Sequence, residues 1–216
     1  MTITYLPLFP LPEVVLFPRT TMKLHIFEPR YLAMMDIVMA GEQRFALGQL
    51  REGYQSDYYG APHVFKMATA VRILYADHLE DGRWNLMVEG IERILLRDEI
   101  QREPFRIGKF ELIPEEIIPG EEKECFELAA NIAATAEHIV DSQPQLKRLL
   151  SNLLNIHQHP SIVCDIIAGT LIADPYARQS ALEETNILRR LRLVNIQLHH
   201  MIGRLEQSPV DQPGID

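Results

Sequence analysis

With 216 residues and 47% hydrophobic content, the chain has material for one large domain or two small ones, and its 24% charged content is ordinary for a soluble protein. Asp and Glu total 30 against 21 Lys and Arg, a net charge of -9, which weighs against broad electrostatic capture of nucleic acid or anionic lipid. No apolar run approaches the roughly 20 residues that span a bilayer. Pro7, Pro10 and Pro12 break the opening, so it is not read as a secretory signal, and Cys125 and Cys164 form no CxxC pair, which fits a reducing cytoplasm better than a disulfide framework or zinc ribbon.

The first thirty-one residues hold three apolar runs, each closed by a proline: Leu6 to Pro12, Val14 to Pro18 and Leu24 to Pro29. Proline fixes φ and lacks an N–H, so this segment predicts extended pieces joined by stiff corners. Strands are expected over Tyr5–Phe9 and Met22–Phe27. Pro29 suits the first turn of a helix carrying Tyr31, Leu32, Met34, Met35, Val38 and Met39, which Gly41 ends. A strand follows over Arg44–Leu50, then a long loop over Arg51–Pro62. Ala68–Tyr75 alternates, with Ala70, Arg72 and Leu74 on one side and Val71, Ile73 and Tyr75 on the other. The Asp81-Gly82 turn leads into a strand from Trp84 to Val88. Gly90 is expected to end that strand and Ile91–Leu96 to begin another, with a last strand over Phe105–Ile113. Six or seven short strands suit a small closed or half-closed barrel.

Beyond Pro119-Gly120 the pattern turns helical. Glu121, Glu122 and Glu124 favour a helix N-terminus, followed by an apolar stripe of Cys125, Leu128, Ile132, Ala136 and Ile139. Pro144 opens a second helix with Leu146, Leu149, Leu150, Leu153 and Leu154 inward. Pro160 opens a third with Val163, Ile166, Ile167 and Leu171. Asp174-Pro175 is a cap and first-turn pair for a short fourth. Thr185 or Asn186 caps a long fifth helix with Leu188, Leu191, Leu198, Met201, Ile202 and Leu205 inward. The expected fold class is α+β, a strand-rich unit over 1–118 followed by a helical unit over 119–206 that ends in a long helix, with a flexible tail over 207–216.

Motifs for common chemistry are missing. Gly108-Lys109 lacks the upstream glycine of a phosphate loop, and no serine sits in a Gly-x-Ser-x-Gly elbow. Ser142 and Lys147 read as a helix-end serine and a surface lysine. His157 and His159 lie two apart at a helix end, where neighbours diverge, so a helix-end role is favoured over metal binding. His199 and His200 are adjacent on a helix, so one is expected to face in and the other out. The cluster from Asp77 to Asp81 around His78 reads as a solvated turn, and Cys164 as a core thiol. No metal or cofactor is expected. Glu28 and Arg30 flank Pro29; they either pair at the helix start or form an exposed recognition element beside the Phe17 loop.

Four blocks together resemble the Lon protease N-terminal domain family. They are the proline-punctuated opening through Pro18; Leu24-His25-Ile26-Phe27-Glu28-Pro29-Arg30-Tyr31, which looks most like the short stand-alone bacterial members; Ala70-Val71-Arg72-Ile73 with the Asp-Gly hairpin and Val88-Glu89-Gly90-Ile91-Glu92-Arg93; and Asp174 to Glu184, containing Gln179-Ser180-Ala181-Leu182-Glu183, followed by the long helix. They occur in the family's order and span about residues 5 to 205. The resemblance implies a PUA-like β-barrel followed by a helical bundle. It also implies a module that recognises unfolded or tagged substrates in full-length Lon proteases. The sequence carries no nucleotide loop or Ser-Lys protease domain after the long helix, so ATP hydrolysis and proteolysis are not expected to transfer. At Met67-Ala68-Thr69 many relatives have a glycine before the Thr; alanine there predicts ordinary β backbone.

The expected function is therefore non-catalytic recognition of unfolded or tagged polypeptide, in protein quality control. The apolar run Val14 to Phe17 reads mainly as core, with part of it left open as a groove. Candidate polypeptide contacts are Leu16, Phe17, Glu28, Arg30 and Tyr31. Alternatives are a small-molecule or RNA-binding PUA-like protein, or a regulator of a full-length Lon protease through shared clients or mixed assembly, self-association included. An unrecognised enzyme would need a deep pocket with converging titratable groups.

Overall fold

The proline-closed opening becomes two strands set apart in one six-stranded mixed sheet. In the computed structural model, which describes residues 2–207, the strands are β1 (Ile3–Leu11), β2 (Thr21–Ile26), β3 (Arg44–Gln49), β4 (Met67–His78), β5 (Trp84–Gln101) and β6 (Arg106–Leu112). Their order is β2-β5-β4-β3-β1-β6, and β6 pairs again with β5. The pairings β1–β3, β3–β4, β4–β5, β5–β6 and β6–β1 thus run in a closed circuit. Only β1 and β3 are parallel, through Leu8–Leu11 against Ala46–Gln49.

β5 corrects the sequence reading. The glycine expected to separate two strands lies inside a single strand of 18 residues. Its first part pairs with β2, its later part with β6, and β4 runs along most of its length. Gly90 sits there because another backbone crosses it. Arg19 N–H donates to Gly90 O at 2.8 Å, and Gly90 N–H donates to Thr20 O at 3.0 Å. A Cβ on Gly90 would lie 2.2 Å from Phe17 O, so only glycine admits the crossing. The expected alternation along β4 also breaks. Ala70 and Val71 enter different buried clusters, as that alternation has it, and the break comes further on: a register shift falls between Ile73 and Tyr75, and Leu74 and Tyr75 are both exposed.

The first helix, α1 (Pro29–Ala40), buries Tyr31, Met34, Met35 and Val38, the i, i+3, i+4, i+7 face expected of an amphipathic helix. That face packs with Phe9, Phe45, Val71, Val88 and Phe105. A second group, including Leu8, Ala46, Ala70, Ile94 and Phe110, fills the space between strands.

Five more helices follow: α2 (Glu122–Ile139), α3 (Pro144–Ile156), α4 (Pro160–Leu171), α5 (Pro175–Glu183) and α6 (Ile187–Gln207). Proline opens α3, α4 and α5 as expected. Asp174 caps α5 by accepting from Tyr176 N–H at 2.9 Å, and Asn186 Oδ1 accepts from Arg189 N–H at 2.8 Å at the start of α6. His159 caps α4 through Nδ1 and Ser161 N–H, a helix-end role. α4 is buried almost all round and is central among the helices. α3 is peripheral: of its five expected inward leucines only Leu150 is fully buried, and Leu149 is exposed. His199 and His200 are both exposed, against the expectation that one faces in. Of the expected tail, Gln207 ends α6 and the remainder lies outside the described residues.

Sheet and helices share one core. Val15, Phe17 and Met67 are buried with the helical residues Ile132, Leu150, Ile167, Leu191 and Leu198. Fully burying a side chain of phenylalanine's size contributes roughly 1.5–3 kcal/mol, so Phe17 fastens the opening segment to the helices.

Candidate functional site

The residues nominated by sequence divide into two groups. Leu16 is 4% exposed and Phe17 0%. Both are core, and neither offers surface to a polypeptide as the chain is folded. This corrects their placement among contact residues and removes the groove expected at that run. Leu16 O instead accepts from Thr69 Oγ1 at 2.5 Å, a bond that pins the run to β4.

Glu28, Arg30 and Tyr31 come together at the start of α1, and the long loop expected over 51–62 reaches them through Tyr58 and Tyr59. Arg30 Nε donates to Glu28 Oε2 at 3.1 Å, Nη2 lies 3.0 Å from the same oxygen, and Nη1 donates to Tyr58 O at 3.2 Å. Tyr58 hydroxyl donates to Glu28 Oε1 at 3.0 Å. The guanidinium lies over three rings, 4.6 Å from the Tyr31 centroid, 5.3 Å from Tyr58 and 6.0 Å from Tyr59. A short 3-10 turn, Tyr54–Asp57, precedes these tyrosines, and Asp57 holds the following bend by accepting from Gly60 and Ala61 N–H.

Beside this cluster lies a cavity of about 180 Å³ whose walls include Arg30, Tyr31, Tyr59, Arg102, Phe105 and Arg106. Arg106 is locked: Nε and Nη2 bind Glu99 at 2.8 and 2.6 Å, and Nη1 donates to Pro62 O at 2.8 Å. Arg102 is exposed and only loosely associated with Glu99, at 3.9 Å. Burial pushes the Tyr31 phenol up to about 12, with Arg30 opposing the shift, so its hydroxyl stays a protonated donor. Burial and the bond to Glu28 raise Tyr58 as well. The arrangement offers hydrogen-bond donors against aromatic walls. Away from this cluster, burial pushes the Cys164 thiol up to about 12 and raises Cys125.

A second cluster was missed by sequence reasoning. Arg93 on β5 is 1% exposed and Arg190 on α6 0%. Arg93 forms a two-pronged pair with Asp165 of α4, Nη1–Oδ2 2.8 Å and Nη2–Oδ1 2.7 Å, and donates through Nε to Leu182 O at 2.9 Å. Glu115 Oε1 lies 2.5 Å from both guanidinium groups. Ser161 hydroxyl bridges Arg190 and Glu115 at 2.7 Å each. Burial would raise Glu115, but Arg93 and Arg190 outweigh it and hold its carboxyl below the usual range. The available signal was a charge inside an apolar stripe: Asp165 within Ile162–Ile167, and Arg190 on the same helical face as Ile187, Leu191 and Val194. A cavity of about 340 Å³ opens over this network between Arg19, Glu92, His159 and Ile162. The network's charges pair among themselves, which assigns it to joining sheet and helices.

The hairpin-tip histidine, His78, stacks on Trp84 with centroids 4.2 Å apart. No helix among the described residues is long and apolar enough to cross a membrane.

An α+β chain with a mixed six-stranded sheet, six helices and a donor-lined cavity beside α1 is the class defined so far. Comparison with known proteins makes it specific. The sequence matches the family described as ATP-dependent protease La (LON) substrate-binding domain over residues 5–200. Among curated relatives, it is 28% identical over 200 residues to the Lon protease of Desulfosudis oleivorans, covering 93% of this chain and 24% of that protein. It is 26% identical over 214 residues to the Lon protease of Desulfatibacillum aliphaticivorans, covering 96% and 26%. Among solved structures, the Lon N-terminal domain protein from Xanthomonas campestris superposes with a TM-score of 0.63 at 24% identity, covering 89% of this chain and 98% of that one. The N-terminal domain of Mycobacterium avium complex Lon protease superposes at 0.72 with 14% identity, covering 91% and 98%. The chain belongs to the Lon substrate-binding domain family. It spans about a quarter of the length of these two curated relatives, and what it shares with them is the substrate-binding region.

Proposed function

We propose that this chain is a non-catalytic polypeptide-recognition module that acts in protein quality control. The observation that carries the reading is the match to a substrate-binding family over residues 5–200. The closed circuit of strand pairings supports a PUA-like barrel as its first half, and the shared burial of α2, α4 and α6 supports a helical bundle as its second. In this reading Glu28 and Arg30 form the recognition surface together with the edge of Tyr31 that borders the cavity, the rest of that ring being core. Leu16 and Phe17 hold the scaffold beneath it. ATP hydrolysis and peptide-bond cleavage belong to the longer relatives. The two buried free thiols, Cys125 and Cys164, fit a cytoplasmic setting. Association with a full-length Lon protease, through shared clients or mixed assembly, is part of the proposal.

The test is titration of the intact chain with permanently unfolded polypeptides, such as a reduced and carboxymethylated protein, followed by calorimetry. Saturable binding in the micromolar range is expected, without proteolysis of the client. Absence of binding at high micromolar concentration sinks the reading. Crosslinking in the host, followed by recovery of a full-length Lon protease or its absence, decides the partnership.

A further inference from the structure

Donors crowd one side of the Arg30 cavity. A guanidinium carries five N–H groups and no acceptor. Arg30 spends three of them on Glu28 and Tyr58, which leaves two. Tyr31 is 4% exposed, borders the cavity, and its hydroxyl has no hydrogen-bond partner among the described residues. The hydroxyl is not among the fully buried unpartnered atoms, so it opens onto the cavity and is free to donate to an acceptor there. Arg102 stands at the rim on a side chain that is 67% exposed and free to swing. The one acidic residue on the wall, Glu103, is exposed.

Charge alone does not require an anion here, because Glu28 and Glu99 already balance Arg30 and Arg106. The donors left over set the chemistry of a ligand, since two forked N–H groups and a phenol are matched by one planar group with two acceptor oxygens. Placement adds to this. Arg30 lies in the first turn of α1, where the helix dipole opposes a cation, and it is nonetheless held by Glu28 and three tyrosine rings.

Size narrows the ligand. About 180 Å³ is below the roughly 300 Å³ at which drug-sized pockets begin. It admits one residue and no through-going chain. A terminal residue satisfies both halves of the cavity from one Cα: its carboxylate meets the donors, and its side chain lies against Tyr59, Pro104 and Phe105.

We propose that the Arg30–Tyr31–Arg102 cavity captures the C-terminal carboxylate of a polypeptide whose last residue is apolar. This deepens the reading of the chain as a polypeptide-recognition module and rests on it. Arg30 and Tyr31 bind the carboxylate, Arg102 closes over it, and Glu28 is the positioning residue that orients Arg30.

The experiment compares one unstructured dodecapeptide ending in phenylalanine in three forms: free acid, C-terminal amide, and amide with an internal glutamate. Binding to the full chain is read by fluorescence anisotropy. The free acid is expected to bind at least about tenfold more tightly than either amide, the range of a hydrogen-bonded charge. Tyr31→Phe, which keeps the ring packed on Phe9 at 4.5 Å, and Arg102→Gln at the exposed rim should each erase most of that preference. Equal binding of acid and amide, or an unchanged preference in both variants, overturns the proposal. An internal glutamate that binds as well as the terminus overturns the terminal assignment. N-acetylphenylalanine and its amide, mapped by NMR on the same protein, separate the two claims. Acid-selective shifts at Tyr31 and Phe105 support the cavity even if long unfolded chains fail to bind, and binding of unfolded chains without such shifts leaves the module reading standing and removes this one.

Discussion

At the scale of single residues, the charges that matter most are the hidden ones. Arg93, Arg190, Asp165 and Glu115 pair with one another inside the fold, so the burial cost of each is offset while its partners remain. Removing one leaves the others buried and uncompensated. Asp165→Ala strands two guanidinium groups against Glu115 alone, and a loss of about 3–5 kcal/mol is expected, measured by urea denaturation. The same network sets an acid limit. Glu115 has a folded-state carboxyl held below its ordinary value of 4.5, so its contribution is fully present above that value and is lost as pH falls through the lower folded-state value. Melting temperature should therefore fall from about pH 5 downward. Glu115→Gln should start less stable at neutral pH and show a shallower acid decline; parallel curves for the two proteins would remove Glu115 from the account.

Elements show where local pattern and tertiary demand diverge. Proline as the first helical residue was legible at α1, α3, α4 and α5, because the missing N–H is a local fact that no neighbour can change. Gly90 was legible as a special position and misread in kind. A glycine inside a strand pattern marks either an end or a close approach, and only the crossing Phe17–Thr20 segment distinguishes them. Gly90→Ala should push Phe17 O away and break the paired bonds to Arg19 and Thr20. A loss of about 1–3 kcal/mol is expected, the usual cost of overpacking, with unfolding midpoints as the measurement. The bulges in β4 were illegible for the same reason. Alternation in sequence says how side chains would fall on a regular strand, and the partner strand decides where the strand is regular.

For the molecule as a whole, the two halves expected over 1–118 and 119–206 behave as one packing unit. Val15, Phe17 and Met67 come from the first and sit in the core of the second. Gln179 Nε2 reaches back to Met67 O at 3.1 Å, and Arg93 spans the boundary to Asp165. Division into independently stable pieces would expose that core and strand those charges. One cooperative transition is therefore expected, with Trp84 fluorescence, which reports the sheet, and far-UV circular dichroism, which is dominated by the helices, coinciding in midpoint. Two separated transitions would show that the boundary near Pro119 is a true domain border.

The sequence by itself determined the α+β class, the order of nearly all elements, the helix starts and the family resemblance. These depend on periodicity, proline and capping chemistry, which act over a few residues. It also placed Glu28, Arg30 and Tyr31 together, since they are neighbours in the chain. Tertiary structure decided that Leu16 and Phe17 are core, that the 51–62 loop folds onto Arg30 to wall a cavity, and that arginines 97 positions apart meet over one aspartate. Each of those outcomes depends on groups distant in sequence competing for the same buried space, and that competition is settled only when the whole chain is packed.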